Sequence, residues 1–253
     1  MFYNLNNPIK ERNTKTVYED NGNTIKLFVE NYSKSNILNE ALNQARVEEG
    51  TDLKIAKLKE ITMIDKRWAL ISEHIKGESL EDLMKKNPEK IDEYFDIFVE
   101  IQLNVLSKNV PLLNRMKEKY RSRITESKLF EENTRYELLQ RLAGMDSHLK
   151  LCHGDFVPSN IIVTENGEYY IIDWAHVTQG NAAGDAATTY LRFCMHNRQD
   201  LGDKYLELFS KKSKISKMNI QKWIPIVAAN EYIKQKPEEK EFLKQWIDVV
   251  EYE

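Results

Sequence analysis

The chain has 253 residues, of which 41% are apolar and 30% charged, the balance of a globular protein with one large domain or two small ones. Lys and Arg total 37 against 40 Asp and Glu, a formal charge of −3, which argues against a nucleic-acid binder with its strong basic excess. No apolar run approaches the ~18 residues that cross a bilayer, Met1–Asn6 shows no signal peptide, and Cys152 and Cys194 cannot build a disulfide framework, so a reducing cytoplasm without membrane contact is expected.

In chain order, Thr16–Tyr18 and Thr24–Val29 read as strands joined by Asn21-Gly22, a two-residue hairpin signal. A helix follows from about Ser35 to Glu49, stopped by Gly50, with Ile37, Leu38, Ala41, Leu42 and Ala45 on one face. Trp68–Ile75 reads as a further strand. After Gly77 the pattern turns helical. Ser79-Leu80-Glu81-Asp82 reads as a capping box, and helical periodicity follows near 91–107, 113–127 and 130–142. A β-like island occupies 150–174, and helices run from there to the end. The expected class is α+β, with a small N-terminal β-sheet lobe carrying one helix (1–76) and a larger, mainly helical C-terminal lobe (77–253). This organisation alone names no function.

The informative stretch is Leu151–Trp174, LCHGDFVPSNIIVTENGEYYIIDW. Asn166-Gly167 favours a two-residue type I′ turn, because both residues tolerate positive φ. In that register Ile161 faces Ile172, Ile162 faces Ile171, and Asn160 faces Asp173, with opposed Cβ atoms roughly 4.5–5.5 Å apart. An amide oxygen and a carboxylate then converge at the open end of an apolar hairpin, and hard oxygen ligands suit Mg²⁺. Asp155 precedes them in the loop His153–Ser159, where a carboxylate can accept or orient the proton of an attacking hydroxyl. Metal to neutralise charge and a carboxylate to position the nucleophile are what phosphoryl transfer requires. Each residue alone would pass for an ordinary turn or strand-end side chain; the combination carries the reading.

His153-Gly154-Asp155, four residues and Asn160, followed by Ile171-Ile172-Asp173-Trp174, resembles the aminoglycoside phosphotransferase and choline kinase family. The resemblance implies a two-lobed protein-kinase-like fold, ATP or GTP as donor, Mg²⁺, and a small-molecule hydroxyl acceptor of aminoglycoside, amino-alcohol or sugar type. It implies Asp155 as catalytic base, Asn160 and Asp173 as metal ligands, and a structural Asp185 in Gly184-Asp185-Ala186-Ala187. Lys26, in Thr24-Ile25-Lys26-Leu27-Phe28, would brace the phosphates with a Glu of the following helix. Glu40 fits, lying about 60° outside the edge of the apolar stripe at 100° per residue; Glu48, on the apolar face, is its rival. Ile71–Gly77 resembles the hinge that binds adenine through backbone groups, here those of Glu73 and Ile75. The phosphate-covering loop should lie near Lys10–Thr16. It lacks the glycine that lets N–H groups close over phosphate, and Asn13, Thr14 and Thr16 would supply polar groups instead.

A protein kinase is the nearest alternative, but that class carries His-Arg-Asp, Asp-Phe-Gly and Ala-Pro-Glu, whereas this chain has His153-Gly154-Asp155, Asp173-Trp174-Ala175 and no such triplet. A non-catalytic kinase-like nucleotide-binding regulatory module would have lost Asp155, Asn160, Asp173 or Lys26, and all four are present. Zinc on Cys152-His153 and Cys194-x-His196 is disfavoured, since neighbouring strand side chains point to opposite faces; His153 is expected to brace the loop. The basic run Lys211–Lys217 reads as a solvated surface. A cationic acceptor would want an acidic pocket, and Glu238, Glu239, Glu241, Asp248, Glu251 and Glu253 lie near the end, although such residues usually face water.

Overall fold

A computed structural model describes residues 3–6, 8–195, 198–234 and 236–247; His196, Asp248, Glu251 and Glu253 of the sequence reading lie outside them. In chain order the elements are strands β1 (Pro8–Arg12), β2 (Lys15–Asp20) and β3 (Asn23–Phe28), helix α1 (Lys34–Gly50), strands β4 (Leu58–Ile64), β5 (Arg67–Glu73) and β6 (Glu78–Ser79), and helix α2 (Leu80–Lys86). Helices α3 (Ile91–Ser107), α4 (Met116–Glu126) and α5 (Glu132–Ala143) follow, then strands β7 (Lys150–Cys152), β8 (Ile161–Val163), β9 (Tyr169–Ile171) and β10 (Thr178–Gly180). Helices α6 (Ala182–Cys194), α7 (Gln199–Ser213), α8 (Lys217–Gln221), α9 (Ile224–Tyr232) and α10 (Pro237–Ile247) complete the described chain. They form two compact units, Met1–Pro88 with Pro158–His176, and Glu89–Val157 with Val177–Glu253.

The first unit is built on an antiparallel sheet of order β1-β2-β3-β5-β4. Asn21 and Gly22, at φ 48° and 74°, close the β2–β3 turn between the paired Asp20 and Asn23, the two-residue geometry that the sequence signals. Asp65 and Lys66 make a second such turn, at φ 46° and 62°, with no glycine to announce it. Strand β1 is exposed at every position; its Lys10, Glu11 and Arg12 suit an edge that must not recruit another chain. Ile25, Leu27, Ala69 and Ile71 pack on one face with Tyr3, Leu5 and Tyr18. On the other, Phe28 and Leu70 pack against Ile37 and Ala41 of α1.

Helix α1 sits differently from its apolar pattern. Its buried side is Ile37, Glu40, Ala41, Asn43, Gln44 and Val47, while Leu38 and Leu42 are 45% and 48% exposed. The helix is rotated by roughly 100°, one residue step, relative to the stripe through Ile37, Leu38, Ala41, Leu42 and Ala45. Inward polar bonds account for the choice: Gln44 Nε2 donates to the Ala56 carbonyl at 2.6 Å, and Glu40 receives Lys26.

The β8–β9 hairpin corrects the expected register by one residue. Ile161 pairs with Ile171, Ile162 with Tyr170 and Val163 with Tyr169. Gly167 alone is left-handed, at φ 74°, and its N–H donates to the Thr164 carbonyl at 2.9 Å. Thr164 Oγ1 also accepts the Glu168 N–H at 3.1 Å. The loop therefore has three residues, Glu165-Asn166-Gly167, ending in a left-handed glycine, rather than a two-residue type I′ turn.

In the second unit, Phe98 is the centre of an aromatic cluster with Phe95, Phe156 and Tyr205. Strands β7 and β10 pair antiparallel, Cys152 opposite Thr178, and α6 is buried along most of its length. Among the described residues no helix is long and apolar enough to cross a membrane.

Gly77 has no room for a side chain, since a Cβ there would stand 2.3 Å from the Val163 carbonyl oxygen, whereas one on Gly144 would meet only ordinary contacts at 3.6 Å. Gly77→Ala should destabilise the protein by about 1–3 kcal/mol through overpacking and Gly144→Ala should not; thermal denaturation of the two variants checks the contrast.

Candidate active site

Lys26 interrupts the apolar strand β3 on the side that faces α1. Its Nζ donates to Glu40 Oε1 at 2.9 Å and to Asp173 Oδ1 at 2.9 Å. Burial alone would lower the ammonium pKa, but Asp173 and Glu40 more than offset it and hold it above its ordinary value. Burial would likewise raise the Asp173 carboxyl, yet Lys26 and then Lys15 hold it well below the usual carboxylate range.

Lys15 is the residue that sequence reasoning passed over. Its Nζ lies 3.4 Å from both Asp173 carboxylate oxygens and 3.9 Å from Glu40 Oε1. The signal was available: the Asn21-Gly22 turn pairs Val17 with Lys26 and Lys15 with Phe28, so alternation puts both lysines on one face of the sheet. The stretch expected as a phosphate-covering loop is mostly strand, with Asn13 and Thr14 turning between the paired Arg12 and Lys15. Lys10 and Arg12 continue its basic character along β1.

The rival Glu48 is engaged elsewhere, its Oε2 accepting the Leu58 N–H at 3.0 Å at the start of β4. Of the two candidates, α1 therefore brings Glu40 to Lys26.

Asn160 and Asp173 flank the β8–β9 hairpin but are not opposite one another. The Asn160 carbonyl accepts the N–H of Ile172 at 3.0 Å, and Asp173 lies one step further, in the left-handed region at φ 66°, a conformation that Asp tolerates better than most residues. The next turn, Trp174–His176, packs on α1, and Trp174 Nε1 donates to the Ile171 carbonyl at 3.1 Å, so the helix and this turn fix the carboxylate against Lys26. Among the described residues, no three His, Cys, Asp or Glu side chains gather into a metal cage. An ionised carboxylate with one side-chain amide is instead the sparse oxygen set with which Mg²⁺ is bound together with substrate phosphates. The donor chemistry fits that ion.

Glu73 ends β5, and its N–H donates to the Lys57 carbonyl at 2.8 Å. Ile75 lies in the irregular segment after β5. His74 between them bonds through Nδ1 to Thr24 Oγ1 at 3.0 Å.

Asp155 belongs to the second unit. The Asp155 N–H donates to Nδ1 of the fully buried His153 at 3.3 Å, the bracing expected of that histidine. The Gly154 N–H donates to Asp185 Oδ1 at 2.8 Å, and Gly154 turns through φ 78°. Asp185 is fully buried and takes Gln102 Nε2 at 3.2 Å on its other oxygen; burial raises its carboxyl, against the pull of Gly154 and His153. Arg192 of α6 forms an ion pair with Asp155, Nε to Oδ1 3.0 Å, and is itself held by Glu231 at 2.6 Å and Glu239 at 3.2 Å. Nothing in the sequence pattern singled out Arg192, because its partners are 37, 39 and 47 residues distant. Cys152 is buried, with Sγ 3.6 Å from the Asn181 carbonyl, and burial pushes its thiol pKa well up.

Residues 67–214 match the phosphotransferase enzyme family. No curated protein sequence matches the chain. Among solved structures, a thermostable mutant of aminoglycoside phosphotransferase APH(4)-Ia in ternary complex with AMP-PNP and hygromycin B superposes with a TM-score of 0.71 at 12% identity, covering 95% of this chain and 91% of that one. ADP-bound aminoglycoside phosphotransferase APH(2'')-Ib gives 0.61 at 14% identity, covering 97% and 91%. The choline kinase LicA from Streptococcus pneumoniae gives 0.58 at 18%, covering 95% and 85%. The fold is thus the protein-kinase-like α+β fold of these enzymes.

Glu40→Gln should weaken nucleotide binding about tenfold by loosening Lys26, roughly 1.4 kcal/mol. Glu48→Gln should leave binding unchanged and lower only thermal stability. Fluorescence titration with a nucleotide analogue, beside a melting curve for each variant, separates the two.

Proposed function

The chain belongs to the phosphotransferase enzyme family, and on that premise we propose that it moves the γ-phosphoryl group of ATP or GTP to a hydroxyl of a small molecule, of aminoglycoside, amino-alcohol or sugar type. The observation that carries the proposal is Lys26 shared between Glu40 and Asp173, an arrangement costly to bury and useful when a polyphosphate arrives. In this reading Lys26, steadied by Glu40, braces the nucleotide phosphates, and the Glu73 carbonyl with the Ile75 backbone meets the base. Asn160 and Asp173 hold Mg²⁺, which when bound neutralises charge on the phosphates.

Asp155 orients the acceptor hydroxyl and takes its proton. The Arg192 guanidinium keeps the carboxylate pointed, and the bonds from the Asp155 N–H to His153, from the Gly154 N–H to Asp185 and from Gln102 to Asp185 hold its loop still. The reaction needs neither nucleic acid nor membrane, and two buried free thiols, Cys152 and Cys194, suit a reducing cytoplasm.

The test is ADP or GDP release with Mg²⁺ across aminoglycosides, choline, amino alcohols, sugars and nucleosides. Asp155→Ala should lower acceptor-dependent release by about 10²–10⁴, the usual worth of a general base, with its circular dichroism unchanged. Asp173→Asn should abolish Mg²⁺-dependent release while keeping the left-handed backbone. Undiminished release from either variant would overturn that residue's role.

A further inference from the structure

Lys15 has a place in the Lys26 cluster but no task in the proposed function. The cluster lies within the first unit and sets two ammonium groups, Lys15 and Lys26, against two carboxylates, Glu40 and Asp173. The two lysines are held unequally. Lys26 Nζ makes short bonds, 2.9 Å to Glu40 Oε1 and 2.9 Å to Asp173 Oδ1, within the range of strong charge-assisted contacts. Lys15 Nζ stands 3.4 Å from each Asp173 oxygen and 3.9 Å from Glu40 Oε1, beyond that range.

The position of the looser ammonium matters more than its looseness. Lys26 engages only Oδ1 of Asp173, whereas Lys15 is equidistant from both oxygens. A metal ion taken up by Asp173 therefore meets Lys15 whichever oxygen it uses, and two cations at one carboxylate repel. Lys15 and the metal compete for the same face.

The ties on Lys15 leave its ammonium able to move. Its backbone pairs with Arg12 of β1 on one side and Phe28 of β3 on the other. Just before it, the Thr14 carbonyl accepts the Val29 N–H at 3.0 Å. Its Nζ lies 5.9 Å from the centroid of the Phe28 ring, which is stacked on Tyr32 at 4.6 Å. With the backbone fixed in the sheet, the remaining freedom is rotation about the four-carbon stem. Lys15 also belongs to the stretch Lys10–Thr16, which has no glycine amides to offer a phosphate.

We propose that Lys15 is an exchangeable cation of the phosphate site: when Mg²⁺ takes Asp173, the Lys15 ammonium leaves that carboxylate and binds the nucleotide phosphates. The nucleotide and metal are those of the phosphotransferase reading, on which the exchange rests. Asp173 keeps a counter-charge throughout, and Lys26 stays in place because Glu40 holds it as tightly. Metal alone must displace Lys15 with no phosphate to receive it, so metal and nucleotide strengthen each other's binding, each by the same factor.

The first test measures binding without turnover. Mn²⁺, which suits the same oxygen ligands as Mg²⁺, is titrated by electron paramagnetic resonance into the protein without nucleotide. Asp173→Asn identifies the part of the signal that belongs to this site. AMP-PNP and GMP-PNP are titrated separately with Mg²⁺ saturating. Lys15→Met, which keeps the bulk of the stem, should bind Mn²⁺ several-fold more tightly, because the competitor is gone. It should bind the nucleotide analogue about tenfold more weakly, the contribution of one charge-assisted contact. Lys15→Arg, which keeps the charge, should hold both affinities near those of the unaltered chain. Either shift without the other, or both affinities weakened together in folded Lys15→Met, overturns the proposal.

The second test uses the unaltered chain, so the folding of a variant does not enter. Acetylation of Lys15 by acetic anhydride is followed by peptide mass spectrometry, with the exposed Lys85 as internal control. Mg²⁺ alone should speed labelling of Lys15 several-fold. Mg²⁺ with the tighter-binding analogue should slow it below the rate in the metal-free protein, and Lys85 should respond to neither. Labelling of Lys15 that ignores Mg²⁺, or is slowed by Mg²⁺ alone, overturns the exchange. Acceptor-dependent ADP or GDP release from a chain that shows neither effect overturns the exchange and leaves the phosphotransferase reading standing. Both effects in a chain that phosphorylates nothing uphold the exchange and sink that reading.

Discussion

An ammonium group folded against a helix inside a sheet must find its counter-charge there, and much of the first unit follows from how Lys26 does so. Glu40 and Asp173 come to it from widely separated parts of the chain downstream, one on α1 and one after β9. Removing one partner of such a buried set costs about 3–5 kcal/mol, more than the roughly 1.5–3 kcal/mol in all that leaving Leu38 and Leu42 about half exposed forfeits. That comparison explains why Leu38 and Leu42 are left in water while Glu40 and Gln44 turn inward. The constraint reaches the far hairpin as well, because Asp173 must leave regular strand geometry to present its carboxylate.

The second unit solves a parallel problem around Asp155. A loop carrying a carboxylate is mobile unless its backbone is tied, and the ties here run through a deeply buried aspartate, a glutamine and a histidine. Tyr205 extends them by donating to Gln102 Oε1 at 2.7 Å. Arg192 then couples the carboxylate to Glu231 and Glu239, two residues whose burial would be unfavourable without it. Each acid in this region is held by a cation or by N–H donors, so the loop is over-determined rather than merely packed.

Much of this was legible in the sequence. Helix α3 spans the 91–107 expected from periodicity, and the Asn21-Gly22 turn placed β2 and β3 in correct register. The same dipeptide at 166–167 misled by one residue, because Thr164 supplies both a carbonyl and a hydroxyl that favour a longer loop, and a dipeptide signal does not weigh its neighbours. Strands β1 and β4 escaped because one is wholly exposed and the other turns through Asp65-Lys66, where positive φ carries no glycine. The rotation of α1 was hidden for a different reason. A hydrophobic stripe assumes that burial is decided by apolar side chains, and here two polar contacts decided it. Arg192 was unreadable in principle, since a pair separated by 37 positions leaves no local pattern.

The turn end of the β1–β2 hairpin, with Lys10, Arg12 and Lys15 against Glu11, gives the first unit a positive rim where a glycine loop would have offered uncharged amides. Amides act only at contact, whereas fixed charges act at a distance. Capture of a polyanion at such a rim is steered by a field whose range shrinks from about 30 Å at 0.01 M ionic strength to about 8 Å at 0.15 M. In the proposed function the association rate of the nucleotide therefore carries the salt sensitivity, and the dissociation rate, governed by buried contacts such as that of Lys26, carries little of it. Swapping glycine amides for lysine and arginine side chains turns a short-range cradle into a long-range antenna.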